Sequence, residues 1–274
     1  MIIGCETKNI LSITKLYTFF EKHFESGYFF RGESHNFYEI VCVLSGEVGI
    51  TAGKRVFILK EGEMTFHPPG EFHAIWEENS SQPDVIVFSF SAHPFPRIAG
   101  KIFNIGEEGK KESRNLLRLV KDCFLTRKSY IEKIKDGAEI QSALVLKKLE
   151  IFILNYLCDS WGNEANNFSN SSEIFSNIIS VMESNLEASL DINKIATHCK
   201  ISVSTLEKTV YKYLGYGAIT HYNTLKMHKA QAMLINGSNV KETALSLGFS
   251  NQNYFSARFK KYYGYSPSSL KKCK

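Results

Sequence analysis

The sequence predicts an α+β multidomain protein, in which a β-barrel at the N-terminus precedes an all-α domain at the C-terminus. Three observations carry this prediction. Short apolar runs punctuated by Gly, Pro and Asn occupy residues 1–95, apolar residues recur at helical spacing farther along the chain, and about the last 85 residues contain an internal repeat. A length of 274 residues suits two domains of about 100–200 residues each.

Residues 1–95 have the pattern of short strands joined by turns. Turn-forming residues, such as those of the Pro68-Pro69-Gly70 sequence, separate the apolar runs. Short strands at regular spacing are typical of β-sandwiches and β-barrels. The predicted strands are Tyr28–Phe30, Phe37–Leu44, Val48–Thr51, Val56–Leu59, Met64–His67 and Val85–Phe90.

A helical linker or dimerisation region is expected at residues 96–162. Residues 111–124 and 136–159 place apolar side chains at helical spacing, so the two helices pack either on the barrel or against a second subunit. Residues 163–172 are rich in Asn and Ser, as in a flexible linker. Residues 173–274 are expected to form the helical domain.

The net charge of +5 conceals an asymmetry between the two ends of the chain. Residues 190–274 contain 13 Lys and Arg against 3 Asp and Glu, whereas the rest of the chain has 20 against 25. A basic module on an acidic body suits a polyphosphate partner, and an ordinary solvated surface is the alternative interpretation.

Cysteine usage and hydropathy give expectations about the compartment. The six cysteines are scattered, without the close pairs of a zinc finger or the dense pattern of a secreted disulfide framework. Neither a signal peptide nor a run of about 20 apolar residues is visible. We therefore expect a cytoplasmic protein without a membrane partner.

The internal repeat has the same spacing in both copies. A small alanine, Ala196 or Ala244, precedes a short turn, and an apolar series with steps of four and five residues follows. The series is Leu206, Val210 and Gly215 in the first copy, and Phe255, Phe259 and Gly264 in the second.

Each copy contains the parts of a helix-turn-helix unit. The alanine allows two helices to approach closely, and Ser202 or Ser250 can cap the second helix by accepting a backbone N–H. Between the copies, residues 219–235 are expected to form one long helix that ends at Asn236-Gly237. Such a helix would hold two recognition helices about 34 Å apart, one turn of DNA.

Residues 190–272 resemble the DNA-binding domain of the AraC/XylS family of bacterial regulators. The resemblance is strongest in the Gly248-Phe249-Ser250 turn, the Tyr254-Phe255 pair, Phe259-Lys260-Lys261 and Gly264-x-Ser266-Pro267. It implies binding to promoter or operator DNA, nucleoid association in the bound state, and RNA polymerase as a further partner.

Candidate DNA contacts follow from the resemblance and from helix geometry together. The base-reading candidates are Ser204, Glu207 and Lys208 on the first recognition helix, and Gln252, Asn253 and Ala257 on the second. The phosphate candidates are Ser202, Ser250, Arg258, Lys260 and Lys261. Glu207 and Ala257 depart from the family pattern, as does Lys226, which stands where the family often has arginine.

A second resemblance lies in the strand region and points to the cupin β-barrel. The spacings are Gly27-x5-Glu33-x-His35-x3-Glu39-x6-Gly46 and Gly62-x5-Pro68-x-Gly70-x2-His73. Metal-binding cupins place two His and one Glu in the first motif and one His in the second. Glu33 therefore replaces the first His, and strand periodicity would put residues 33, 35, 37 and 39 on one face.

Three interpretations of this cluster are open. Glu33, His35, Glu39 and His73, with Trp76, line an effector pocket without metal. Alternatively, the first four bind a divalent transition metal with open coordination positions. In the third interpretation they form a purely structural polar cluster.

The sequence thus predicts a ligand-responsive, sequence-specific transcription regulator and not an enzyme, with no required cofactor. We expect it to act as a homodimer and to activate a metabolic operon, for example one for carbohydrate use. Two alternatives are a metal-dependent cupin enzyme fused to a DNA-binding module, and a ligand-independent DNA-binding protein whose barrel serves dimerisation.

Overall fold

The computed structural model describes residues 5, 8–96, 98, 100–159, 163–164 and 169–272. The chain divides into two compact units, Met1–Phe168 and Ser169–Lys274. No helix among the described residues is long and apolar enough to cross a membrane. The fold class is the predicted one, a β-rich N-terminal unit followed by a helical unit with two helix-turn-helix motifs.

The N-terminal unit contains two antiparallel sheets and two long helices. The larger sheet has the order β10-β11-β1-β8-β3-β6-β9-β12, and the smaller has the order β2-β7-β4-β5. The strands are β1 (Ile13–His23), β2 (Phe29–Glu33), β3 (Tyr38–Ser45), β4 (Glu47–Ala52), β5 (Arg55–Lys60), β6 (Glu63–His67), β7 (His73–Glu77), β8 (Asp84–Ala92), β9 (Lys101–Asn104), β10 (Phe124–Arg127), β11 (Tyr130–Ile134) and β12 (Asn163–Glu164). The helices are α1 (Gly106–Cys123) and α2 (Glu139–Asp159).

Alternation along β3 builds two apolar layers. Val41 and Val43 pack into a core shared with the smaller sheet, so the predicted barrel takes the form of two facing sheets. Ile40 and Cys42 point to the opposite face, where they join a core that α1 and α2 cover. Helices α1 and α2 therefore pack on the larger sheet. This is the first of the two arrangements expected from the sequence, the other being packing against a second subunit.

Several strands were not predicted from the sequence. β1 and β7 are absent from the predicted set, and β9 to β12 lie in or just after the stretch 96–162 that was assigned to helices. β1 is irregular because two register shifts interrupt its pairing with β8. The predicted linker at 163–172 lies partly outside the described residues, and its last residues already belong to a helix.

The C-terminal unit is entirely helical among its described residues. Its helices are α3 (Asn170–Ser184), α4 (Ile192–Cys199), α5 (Val203–Leu214), α6 (Ala218–Ile235), α7 (Val240–Ser246) and α8 (Gln252–Tyr263), followed by a 3-10 helix at Pro267–Lys272. The helix pairs α4–α5 and α7–α8 are the two helix-turn-helix motifs, and α6 is the predicted long helix between them.

Helix caps explain where these motifs begin and end. The Ser202 side chain accepts from the Thr205 backbone, which confirms the predicted cap of α5. The predicted cap of α8 is wrong by one residue, because Asn251 and not Ser250 accepts from the backbone of Tyr254. Gly237, at a φ of +98°, follows the last turn of α6 as expected.

Candidate nucleic-acid interface and ligand cavity

The first recognition helix, α5, presents a polar face to solvent. Leu206 and Val210 are fully buried on its inner side. Ser202, Ser204 and Lys208 are exposed on the outer side, where side chains can reach a DNA groove or phosphate. These three residues therefore lie where the sequence analysis expected DNA contacts.

The Glu207 side chain points towards the start of α6. Its Oε2 accepts a hydrogen bond from the backbone N–H of Ala218 at 3.3 Å. Gly217, the N-cap residue of α6, has no side chain that could do the same. Negative charge stabilises a helix N-terminus. The structure thus gives Glu207 a capping role in α6 in place of the predicted base contact.

The second recognition helix, α8, places polar residues at its exposed N-terminus. Gln252 and Asn253 occupy its first two positions and are exposed, as is Ala257 one turn later. Recognition helices of this type contact base edges with their N-terminal residues. The geometry is therefore compatible with base reading by the two amide side chains.

The phosphate candidates of the second motif differ in their surroundings. Ser250, Lys260 and Lys261 are exposed. Arg258 is half-buried, and its guanidinium lies 5.9 Å from the centre of the Tyr254 ring. A guanidinium held over an aromatic ring is partly oriented before DNA arrives.

The 185–188 segment, which follows α3, accepts hydrogen bonds from two side chains of α6. The Tyr222 hydroxyl donates to the Asn185 carbonyl at 2.5 Å and to the Ala188 carbonyl at 2.7 Å. The Lys226 ammonium donates to the same Ala188 carbonyl at 2.5 Å and to the Leu247 carbonyl at 2.8 Å. One buried side chain of α6 thus joins the loop before the first motif to the turn of the second.

The N-terminal unit contains a cavity of about 510 Å³. A volume of this size holds a small molecule. The lining contains both aromatic and charged side chains. The aromatic lining residues are Phe20, Phe24, Tyr28, Phe30 and Tyr130, and the charged or imidazole ones are Glu21, Lys22, Glu33, Glu39, His67, His73 and Lys128.

The four residues predicted from the cupin-like spacing come together. The ligand atoms of Glu33, His35, Glu39 and His73 lie within 4.8 Å of one another. The reason differs from the predicted one, because the residues do not share one continuous strand. Glu33 ends β2, His35 lies in the connection to β3, and His73 begins β7.

Glu39 is the electrostatic centre of this cluster. Its Oε1 lies 3.2 Å from the Nε2 of His73, and its Oε2 lies 3.6 Å from the Nε2 of His35. Burial alone would raise the pKa of Glu39, but the neighbouring imidazoles outweigh burial and lower the pKa to about 2. The carboxylate is therefore ionised at neutral pH.

His67 and Glu71 belong to the same site but were not predicted. The His67 ring stacks on the His73 ring at 4.4 Å, and its Nδ1 lies 3.1 Å from Oε2 of Glu71. Burial, the largest influence, lowers the pKa of His67. The available signal was strand pairing, since His67 lies directly opposite Glu39 in the β3–β6 register.

The predicted effector residue Trp76 is not among the residues that line this cavity. His73 and Ile75 alternate with Trp76 along β7, so the indole points to the other face. It packs directly over Gly49, and its Nε1 donates to Glu78 at 2.7 Å. Trp76 is therefore a packing residue outside the cavity lining.

Comparison with known proteins assigns a domain to each unit. Residues 18–124 match the family model described as an AraC-like ligand binding domain, and residues 195–272 match a helix-turn-helix domain. The transcriptional activator RhaS from Escherichia fergusonii is 21% identical over 239 residues, which are 86% of each chain. The transcriptional regulator ArgR from Pseudomonas aeruginosa is 32% identical over 88 residues, so the match spans 32% of this chain and only 27% of that relative.

Two solved structures are also among the matches. A transcriptional regulator from Chromobacterium violaceum with an AraC-type DNA-binding domain is 26% identical, with a TM-score of 0.35 over 36% of this chain and 90% of that chain. ToxT from Vibrio cholerae is 14% identical, with a TM-score of 0.37 over 96% and 97% of the two chains.

The two matched domains define a transcription regulator that joins a ligand-binding unit to a helix-turn-helix unit. Both units therefore resemble domains of AraC-type transcription regulators.

Proposed function

We propose that the protein is a ligand-responsive transcription regulator that binds two adjacent major-groove segments of promoter DNA. The observation that carries this proposal is the pair of capped recognition helices, α5 and α8, held in one unit by α6 and by Lys226. Their exposed polar residues remain our candidates for DNA contact, with Glu207 removed from the set.

The cavity supports control by a small molecule. The carboxylate and imidazole groups of the lining can hydrogen-bond polar substituents of a ligand, and its aromatic side chains can cover apolar faces. A polyol such as a sugar has both features, which supports a role at a carbohydrate operon. The effector must bind the DNA-competent arrangement more tightly than the other one to shift the population.

We further propose that the protein is a cytoplasmic homodimer that activates transcription on the nucleoid through RNA polymerase. Activation is supported by the relative RhaS, which is named as an activator. Dimerisation is supported by α2, where Ile140, Leu144 and Ile151 are 83%, 55% and 53% exposed. Their spacing of four and seven residues forms one apolar stripe that a second copy of α2 can cover.

DNA binding by the full chain should depend steeply on salt. If Lys208, Arg258, Lys260 and Lys261 each neutralise a phosphate, affinity should fall about a hundredfold between about 50 and 200 mM salt. Fluorescence anisotropy of a labelled duplex measures this slope. In a plot of log affinity against log salt concentration, the double variant Lys260→Ala, Lys261→Ala should have a slope about two units less steep. Lys133→Ala on β11 should leave this slope unchanged. A salt-independent affinity would contradict the proposed interface.

Gln252→Ala should relax the sequence preference at a single base pair. The exposed amide can pair with an adenine edge, and its loss should cost about 1–3 kcal/mol of discrimination there. Competition between duplexes that differ at each position measures the effect. The matched control is Gln141→Ala, which removes an exposed glutamine from α2. An unchanged preference profile in Gln252→Ala would exclude this contact.

A further inference from the structure

The helical unit contains a cavity of its own, with a volume of about 470 Å³. This helical-unit cavity is lined by residues just before α4, by α6, by the turn of the second motif and by the start of α8. A volume of this size can hold a small organic molecule. The chemistry of the lining indicates which kind of molecule fits.

The lining of the helical-unit cavity carries positive charge without negative charge. Among the described residues that line it, Lys226 is the one charged side chain, and Ser189, Ser250 and Asn223 add hydroxyl and amide groups. By contrast, three glutamates line the cavity of the N-terminal unit. An anion therefore matches the helical-unit cavity better, because opposite charges attract and like charges repel.

The Lys226 ammonium is a buried cation without a counter-ion in the described part of the chain. The residue is 5% exposed, and its Nζ donates to the carbonyl oxygens of Ala188 and Leu247. An ammonium has three N–H donors, so these two carbonyl groups leave one N–H for a further acceptor. Buried charges in proteins are usually paired with an opposite charge. An anionic ligand group would supply that pairing.

Aromatic rings of the lining surround this ammonium. The Nζ of Lys226 lies 4.8 Å from the centre of the Tyr222 ring and 5.5 Å from the centre of the Phe249 ring. Both rings line the cavity, as does Tyr254. A flat apolar group packs well against aromatic rings. The lining thus suits a ligand that joins an anionic group to a flat apolar body.

The position of the cavity connects it to DNA binding. Ser250, which lines it, is an exposed candidate for a DNA phosphate contact, and Tyr254 lies on the second recognition helix. A bound anion would place negative charge beside the expected position of a phosphate. Because like charges repel, an occupied cavity should weaken the binding of DNA.

We propose that the helical-unit cavity binds a small organic anion with a flat apolar body, and that the bound anion weakens DNA binding. The anionic group pairs with the Lys226 ammonium, and the apolar body packs on the aromatic rings of the lining. The binding site itself does not depend on DNA binding, whereas its regulatory effect rests on the proposed function.

Titration of the full-length protein with 2-naphthoate tests the site, with its uncharged analogue 2-naphthamide as the matched ligand. The intrinsic fluorescence anisotropy of each compound reports its binding. We expect saturable binding of 2-naphthoate, and affinity about tenfold weaker for 2-naphthamide, which lacks the charge. Absence of saturable binding, or equal affinity for the two compounds, would overturn the proposal.

Variants of the lining locate the bound anion. Lys226→Met should weaken 2-naphthoate binding about tenfold, and its melting curve shows whether the variant is folded. Asn223→Asp keeps the side-chain size and adds a carboxylate to the lining, so it should weaken binding to a similar extent. The control on the same helix is Gln231→Glu, which makes the same change of charge outside the cavity.

Lys22→Met distinguishes the two cavities of the chain, because Lys22 lines the cavity of the N-terminal unit. We expect this variant to bind 2-naphthoate as the wild type does. Binding that is lost in Lys22→Met and unchanged in folded Asn223→Asp would overturn the proposal.

DNA affinity is measured on the same samples with and without saturating 2-naphthoate. We expect the loaded protein to bind DNA about fivefold more weakly, and 2-naphthamide to have a smaller effect. Equal DNA affinity of the loaded and free protein would overturn the regulatory effect. Binding of 2-naphthoate by protein without specific DNA binding would support the site and count against the proposed function alone.

Discussion

Replacing Lys226 with alanine should lower the free energy of unfolding of the helical unit by about 2–4 kcal/mol. The change leaves the Leu247 carbonyl without the donor that Lys226 provides. It also removes an ammonium that lies 4.8 Å from the Tyr222 ring and 5.5 Å from the Phe249 ring. The turn of the second motif loses its link to the 185–188 segment, so binding to paired DNA sites should weaken more than binding to a single half-site.

Urea unfolding and titration of paired and single half-sites measure these two effects. Lys226→Arg should retain most of the stability, because a guanidinium also donates to carbonyl oxygens and stacks on aromatic rings. Lys229→Ala is the matched control, since Lys229 is exposed on the same helix. If Lys226→Ala unfolds at the same urea concentration as Lys229→Ala, the Lys226 side chain does not stabilise the junction between the 185–188 segment and the second motif.

Gly248→Ala should disrupt the same junction by a steric route. Gly248 has a φ of +69°, which costs an alanine about 1–2 kcal/mol. In addition, an added Cβ would lie 2.5 Å from the Glu187 carbonyl oxygen and 3.1 Å from the carbonyl carbon of Ala188. These are backbone atoms that cannot rotate away, so the turn must shift. We expect a lower melting temperature and at least a tenfold loss of affinity for paired sites.

Gly264→Ala separates backbone strain from steric conflict. Gly264 has a φ of +80°, but an added Cβ would meet no atom within 4 Å. Gly264→Ala should therefore lower the melting temperature only through backbone strain. Gly248→Ala should be clearly the less stable of the two variants, because it adds a steric conflict to the same strain. Equal melting temperatures would mean that the close approach to the 185–188 segment does not constrain the second motif.

The helical unit was largely predictable because its signals are local. The Ser202 cap of α5 and the glycine after α6 act within a few residues of the sequence, and they begin and end a helix as expected, whereas the cap of α8 lies one residue later than predicted. The direction of the Glu207 side chain was not predictable. It depends on the uncapped start of α6, which comes close only after the helices have packed.

The sheet unit was less predictable because its contacts are distant in sequence. β1 lacks a clean alternation, since bulges interrupt its pairing with β8. The cupin-like spacing brought four polar residues together correctly, yet it missed His67, which joins them through strand register. The predicted pocket also included Trp76, which the cupin-like spacing does not contain and whose indole packs over Gly49 outside the cavity lining.

Selection from fragmented genomic DNA of the source organism tests the central claim most directly. The full-length protein is mixed with the fragments, and the bound DNA is recovered and sequenced. We predict enrichment of a few promoter regions that contain two motifs about one helical turn, 10–10.5 base pairs, apart. Recovered fragments that share no motif beyond the composition of bulk DNA would contradict a sequence-specific regulator with two coupled recognition helices.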